Sequence, residues 1–310
     1  MNDLDAAKTA FIFPGQGSQK VGMGQTLSAA YPSAKQVFDE ADQILGLPFS
    51  KICWEGPETV LNDTVNTQPA LFVHSIAALR VFREGKPDFQ PAFVAGHSLG
   101  ELSAAVAVEA MDFATGLKLV RRRGELMKQA GEQNPGGMAA ILGLEIETLD
   151  KICADASTGG EVVQVANDNC PGQVVISGHS GAVQRAMDAA KAAGAKRALP
   201  LAVSIAAHSP LMASAQDSFR EAVASSHLKD PQIPIIGNVG ASEIRDSEGL
   251  MADLNGQLTA RVRWTDSIRH MRKAGVTTFV ELGTGSVLTG LLKRIDPEAV
   301  GIPQGNPEGF

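Results

Sequence analysis

Pro91-Ala92-Phe93-Val94-Ala95-Gly96-His97-Ser98-Leu99-Gly100-Glu101 decides the fold, because an apolar run over residues 91–95 gives way to a helical pattern that begins near residue 101. The run has the length of a buried strand, and a serine between two glycines at a strand-to-helix corner is the pattern of a nucleophile elbow. Such a corner pushes the Ser98 hydroxyl outward, while the helix behind it aims free N–H groups at any oxyanion formed there. The chemistry indicated is acyl transfer through a serine ester. Glycine is common in the chain, 32 of 310 residues, so the pentapeptide alone is unspecific and its surroundings carry the reading.

Upstream, residues 10–13 read as a short buried strand followed by the glycine-rich turn Pro14-Gly15-Gln16-Gly17-Ser18-Gln19. No Gly-Lys-Ser/Thr follows it, so it is not a phosphate-binding P-loop; it offers backbone N–H groups to a ligand. Helical patterns run over residues 29–45 and 69–84, and the alternation of strand and helix favours a parallel α/β sheet. From residue 137 the rhythm changes. Strands over 138–144, 162–166, 174–177 and 197–203, with helices over 147–156 and 182–193, give the order β-α-β-β-α-β, a ferredoxin-like unit inserted into the larger one. A cleft between two such parts is a common ligand site.

Composition bounds the class. A chain of 310 residues, 44% of them hydrophobic, with mean hydropathy of zero, supports a full core and about two domains. No apolar stretch approaches the ~20 residues of a membrane span, and the N-terminus lacks the basic and apolar regions of a signal peptide, so a cytoplasmic protein is expected. Cys53, Cys153 and Cys170 are too few and too widely spaced for a disulfide framework or a zinc site. A net charge of −7, one Tyr and two Trp disfavour nucleic acid as a partner.

Two further residues bear on the chemistry. His208 ends an apolar, strand-like run over 201–207 and precedes Ser209-Pro210, a helix-start pair, which places it on the edge of the sheet that carries the elbow. That position favours a general base over a merely hydrogen-bonded histidine; His97, beside the serine, orients the elbow instead. In the helical pattern from residue 113 to 130, Phe113, Gly116, Val120, Arg123, Gly124 and Met127 share one face, with Arg122 on the polar side and Arg121 near the edge. An arginine on a buried face needs a partner, either an internal Asp or Glu or the carboxylate of a substrate.

Phe13-Pro14-Gly15-Gln16-Gly17-Ser18-Gln19, Gly96-His97-Ser98-Leu99-Gly100-Glu101, Arg123-Gly124, Pro171-Gly172-Gln173-Val174-Val175-Ile176-Ser177-Gly178, His208-Ser209-Pro210-Leu211-Met212 and Glu281-Leu282-Gly283-Thr284-Gly285 occur in an order that resembles the malonyl-coenzyme A:acyl carrier protein transacylase family over residues 8–295. The resemblance implies a hydrolase-like parallel-sheet α/β domain, discontinuous over residues 1–135 and 206–310, with a ferredoxin-like subdomain over 136–205. It implies Ser98 as nucleophile, His208 as general base, the N–H groups of Gln16 and Leu99 as oxyanion hole and Arg123 as the clamp for the malonyl carboxylate. Gln257 matches the position whose main-chain carbonyl steadies the imidazole, and Asn167 and Asn169, with His97, match the lining of the substrate cleft.

By the same resemblance, malonyl-coenzyme A is a substrate, no cofactor or metal is permanently bound, and the phosphopantetheine thiol arrives on acyl carrier protein. Ping-pong kinetics, a monomer and a place in fatty acid synthesis follow, with a free-standing polyketide acyltransferase as the sister reading. Carrier proteins are acidic, so Lys191, Lys196 and Arg197, or Arg261 and Arg263, are candidates for a basic docking patch. Two positions depart from the family pattern. Ala206-Ala207 precede His208 where many malonyl-selective relatives have a bulky aromatic, which leaves room for methylmalonyl groups, and Thr284 stands where Pro is frequent. Two other classes compete: a serine esterase using Ser98, Asp168 and His208 in that chain order, and a non-catalytic scaffold, which the intact Ser98, His208 and Arg123 set disfavours.

Overall fold

The computed structural model describes residues 4–202 and 205–310. Among the described residues, ten strands fall into two sheets. The larger has the order β10-β9-β1-β2-β7-β8, from β1 (Thr9–Phe13), β2 (Phe93–Gly96), β7 (Ile235–Ile236), β8 (Glu243–Ile244), β9 (Thr278–Leu282) and β10 (Val300–Gln304). Pairing is parallel from β10 through β7, and only β8 runs antiparallel, at the edge. β1 and β2 are buried throughout, as strands of a parallel sheet covered on both faces must be.

The strand alternation divides the core. Phe11, Phe13 and Val94 face one way into a cluster completed by the helices Pro32–Leu45, Thr64–Gly85 and Phe113–Gln133. Ala10, Ile12, Phe93 and Ala95 face the other way, onto the helices Trp264–Lys273 and Val287–Ile295. The helix Thr64–Gly85 is apolar nearly all round and runs through the middle of the first layer, which suits a helix without a solvent face. In register, Phe13 lies opposite Gly96, so the loops after β1, β2 and β9 leave the same carboxyl edge of the sheet, the edge where open α/β sheets bind ligands.

The second sheet is antiparallel, in the order β4-β5-β3-β6, from β3 (Gly137–Leu142), β4 (Val163–Cys170), β5 (Gln173–Gly178) and β6 (Arg197–Pro200). With the helices Ile146–Ala156 and Ser180–Ala192 it has the expected ferredoxin-like arrangement and its own core, centred on Ile141, Leu149, Val165, Ile176 and Met187. β4 is longer than its apolar residues suggest. Two register shifts carry it to Cys170, where Asn167 bridges in parallel to Val262, tying this sheet to the larger body.

Three expectations are corrected. The helix over 29–45 is two helices, Gln25–Ala30 and Pro32–Leu45, because Tyr31 precedes a proline and is held extended at φ −129°. The helix over 69–84 begins earlier, at Thr64; Pro69 sits inside it, and the carbonyl of Val65, which Pro69 cannot engage, accepts from Arg121 Nη1 at 3.1 Å. The strand over 197–203 stops at Pro200, residue 203 itself lying outside the described residues, and the described part of the run 201–207 is not a strand. Of its described apolar side chains, Ile205 packs against Gly131 and Ala206 against Gly136, while Leu201 is exposed.

The corner at Ser98 depends on close backbone approach. A Cβ on Gly96 would lie 1.9 Å from the carbonyl carbon of Gly100, a clash of backbone on backbone that no rotamer relieves. Gly96→Ala should therefore lower the unfolding free energy by about 3 kcal/mol, read as a reduced urea midpoint.

Candidate active site

Ser98 adopts the left-handed backbone region, at φ 51°, in the elbow between β2 and the helix Gly100–Ala107. Its N–H donates to Asn238 Oδ1 at 2.8 Å and its C=O accepts from Gln257 Nε2 at 3.1 Å, so the strained corner is held from both sides. Its hydroxyl lies 2.8 Å from His208 Nε2. His208 also has a positive φ, 57°, and stands on a loop rather than at a strand end. The loop is clamped: the His208 N–H donates to the Leu258 carbonyl at 3.0 Å, and its C=O accepts from Gln164 Nε2, on β4, at 2.8 Å.

The imidazole's other nitrogen fixes its proton. His208 Nδ1 faces two carbonyl oxygens, Gln257 O at 2.8 Å and Ala260 O at 3.1 Å, and carbonyls only accept. The proton therefore resides on Nδ1, and the Nε2 lone pair accepts from the Ser98 hydroxyl. Burial, with the Arg123 charge as the next cause, pushes the His208 pKa down to about 3, which keeps the ring neutral.

Arg123 is 1% exposed, yet among the described residues no Asp or Glu forms an ion pair with it. Nε donates to Gln257 Oε1 at 3.1 Å, Nη1 to Gln68 Oε1 at 2.7 Å and Nη2 to Ser98 Oγ at 3.1 Å. Burial lowers its pKa to about 10, still well within the charged range at neutral pH. Of the two partners the sequence left open, the internal carboxylate is thus not in contact; Glu101, on the far side of Gln257, is near enough to raise the Arg123 pKa, and the guanidinium faces the cleft beside the serine.

That cleft, about 1010 Å³, is lined by Gln16, His97, Ser98, Leu99, Arg123, Asn167, Asn169, Ala207 and His208 among others. A Cβ on Gly15 would lie 2.4 Å from the His97 carbonyl oxygen, so only glycine lets the loop after β1 press Gln16 against the elbow. Among the described residues, the N–H groups of Gln16 and Leu99 donate to no protein acceptor. His97 Nε2 lies 2.8 Å from Asn169 Oδ1, which ties the ring to β4.

Asp168 behaves otherwise. The strand alternation that sends Asn167 and Asn169 to the cleft turns Asp168 away, and Oδ1 accepts from Thr265 Oγ1 at 2.6 Å. Both protein partners of His208 Nδ1 are carbonyls, so the Ser98, Asp168, His208 triad of the esterase reading does not form. Of the basic candidates, Arg261 pairs with Asp150, Arg263 with Asp266 at 2.8 Å and Lys191 with Asp188 at 3.7 Å.

Sequence reading missed Asn238, Gln68 and Thr64. Thr64 Oγ1 accepts from Gln68 Nε2 at 2.9 Å and donates to Gln16 Oε1 at 3.2 Å, which links the guanidinium to the glycine-rich loop. The signal for Thr64 and Gln68 was available: polar residues four apart on a largely buried helix occupy one face and need partners.

The family model described as acyl transferase domain matches residues 10–301. The malonyl CoA-acyl carrier protein transacylase of Bacillus subtilis (strain 168) is 44% identical over 302 residues, 97% of this chain and 95% of that relative. An acyl carrier protein S-malonyltransferase from Vibrio cholerae, at 45% identity, superposes with a TM-score of 0.93 over 97% of this chain and 98% of its own. A malonyl-transacylase solved in complex with a type II PKS acyl-carrier protein gives a TM-score of 0.94 at 41% identity, covering 97% of each chain.

A base that is already neutral does not lose function as pH falls through the ordinary histidine range. The kcat/KM for acylation of Ser98 should therefore stay flat from about pH 8 to about pH 5, without an acidic limb at the usual histidine value, in a stopped-flow or quench-flow pH profile.

Proposed function

The chain belongs to the acyl transferase domain family, and from that premise we propose that it transfers the malonyl group from malonyl-coenzyme A to the phosphopantetheine thiol of acyl carrier protein through a malonyl ester on Ser98. The observation that carries this reading is the buried Arg123 guanidinium, 3.1 Å from the Ser98 oxygen and without a carboxylate of its own. An acyl group that ends in a carboxylate completes it with two parallel charge-assisted hydrogen bonds, while its thioester carbonyl lies against Ser98.

The steps balance on the residues present. Ser98 Oγ attacks the thioester carbon as its proton passes to His208 Nε2, and the negative oxygen of the tetrahedral intermediate rests on the N–H groups of Gln16 and Leu99. The carbon–sulfur bond breaks, the coenzyme A sulfur takes the proton back from Nε2, and malonyl-Ser98 remains. The carrier thiol then gives its proton to Nε2, attacks the ester and regenerates the serine hydroxyl. The carbonyls of Gln257 and Ala260 hold the Nδ1–H throughout, a weaker stabiliser of imidazolium than a carboxylate and sufficient for a thiol leaving group.

Bound malonyl acts on the base as well. Its carboxylate neutralises Arg123, the charge that adds to burial in suppressing His208 basicity, so the imidazole gains proton affinity once the correct substrate is in place. An acetyl thioester leaves the guanidinium unpaired in a desolvated site, a penalty of about 3 kcal/mol. The fatty-acid role follows the transacylases it resembles, and a cytoplasmic monomer without permanent cofactor is the form proposed. Ala207 contributes only a methyl to the cleft beside His208, so methylmalonyl is a second substrate.

The test is intact-protein mass after brief mixing with malonyl-, methylmalonyl- or acetyl-coenzyme A without carrier protein. One malonyl adduct, a methylmalonyl adduct formed more slowly, neither of them in Ser98→Ala, and discharge by added holo-carrier protein are expected. Release of free coenzyme A without an adduct would make the protein a hydrolase instead. In the same assay Arg123→Ala should lower malonyl loading by at least about 100-fold and raise acetyl loading, since the unpaired-charge penalty goes with the guanidinium, reversing the preference.

A further inference from the structure

Glu101 closes the Gly96-His97-Ser98-Leu99-Gly100-Glu101 motif, yet no step above uses it. It is fully buried on the first turn of the helix behind the nucleophile. Oε2 accepts twice, from Asn238 Nδ2 at 2.8 Å and from Gln257 Nε2. Oε1 is buried and has no donor among the described residues. What stands within hydrogen-bonding reach of Glu101 is another acid, Asp253, on the helix Ser247–Gly256. The Asp253 carboxylate accepts backbone N–H groups from Asn238 at 3.0 Å, Val239 at 3.2 Å and Gly240 at 3.4 Å. A carboxylate that is fully buried, pairs with no cation among the described residues and has one oxygen without a donor does not keep its negative charge beside a second acid.

We propose that Glu101 is a positioning residue that works as an un-ionised carboxylic acid, its Oε1–H donating to Asp253 while Oε2 gathers the side-chain amides of Asn238 and Gln257. Each amide reaches the reacting groups. Asn238 holds the Ser98 N–H and, through Nδ2, the Gly96 carbonyl at 2.8 Å. Gln257 holds Arg123 Nε through Oε1, the Ser98 carbonyl through Nε2 and the His208 Nδ1–H through its main-chain oxygen. Burial and the neighbouring Asp253 both raise the Glu101 pKa, in keeping with the neutral form. Neutrality serves selectivity. The charged groups facing Glu101 are Asp253 and, through Gln257, Arg123; an anionic Glu101 would give Arg123 an internal countercharge that competes with the malonyl carboxylate.

The proposal rests on the transacylase reading for its substrate but can be tested without one. A glutamine reproduces the pattern of the neutral acid, donating from its NH₂ to Asp253 and accepting at its oxygen, whereas leucine removes it. The infrared difference spectrum of wild type minus Glu101→Gln at neutral pH should contain the carbonyl band of an un-ionised carboxylic acid, since other raised acids such as Glu281 and Asp168 cancel in the subtraction. Glu101→Leu should slow malonyl loading at least ten-fold and reduce the malonyl-over-acetyl ratio, with Glu101→Gln rescuing both and keeping the wild-type pH profile. Absence of the band, or a Glu101→Gln profile or ratio displaced as far as that of Glu101→Leu, overturns the proposal. If Glu101→Leu does not fold, the band and the Glu101→Gln pH profile decide. A protein that forms no malonyl ester while the band is present fails the transacylase reading and not this one.

Discussion

A positive charge buried without a negative one beside it is the constraint around which the cleft is organised. Placing a guanidinium in the interior costs several kcal/mol unless its donors are met. Here three of its five N–H groups are met by neutral oxygens, from Gln257, Gln68 and Ser98, so two N–H groups and the charge are left for a ligand. An aspartate or glutamate in place of either glutamine would give the guanidinium an internal countercharge and make a poorer binder of malonyl. Each amide must in turn be fixed, and the fixing groups run outward: Gln68 to Thr64 and the glycine-rich loop, Gln257 to Glu101 and the elbow.

The same charge bears on the base. His208 is kept neutral chiefly by burial and then by Arg123, and its tautomer is fixed by two carbonyls rather than by a carboxylate. A carboxylate at that position would raise the imidazole's basicity in the empty enzyme as much as in the loaded one. Carbonyls leave basicity to be raised by whatever neutralises Arg123, so proton transfer becomes easier when an acyl group with a terminal carboxylate is present. Binding selectivity and catalytic selectivity then draw on one contact.

How much of this was legible in the sequence depends on the range of the interaction. The elbow, the glycine-rich loop and the switch from parallel to ferredoxin-like rhythm are written in local patterns of apolar residues and glycine, and they appear in the structure with boundaries shifted by a few residues. Arg123 was legible because a helix has a fixed period and one charged residue fell on its buried face. The run 201–207 was misread because an apolar run need not be a strand; Leu201 is exposed, and Ile205 and Ala206 meet the helix Phe113–Gln133 and the turn after it instead of a neighbouring strand. Asn238 and Asp253 carried no local signal, since their partners lie 140 and 15 residues away and are brought together only by the sheet.

The two left-handed residues of the cleft show where stability gives way to chemistry. Ser98 and His208 lie on unrelated loops, and each holds a backbone region that a residue with a side chain enters at a cost of about 1–3 kcal/mol. In both cases the surrounding hydrogen bonds end on the residue's own N–H and C=O: Asn238 and Gln257 on Ser98, Leu258 and Gln164 on His208. Main-chain clamps hold the pair at 2.8 Å while leaving the hydroxyl and Nε2 free to exchange a proton. Gln164 belongs to β4 of the second sheet, so that sheet also helps set the geometry of a base in the larger body. The second sheet thus braces the His208 loop as well as lining the cleft, and the bridge from Asn167 to Val262 anchors it to the larger body.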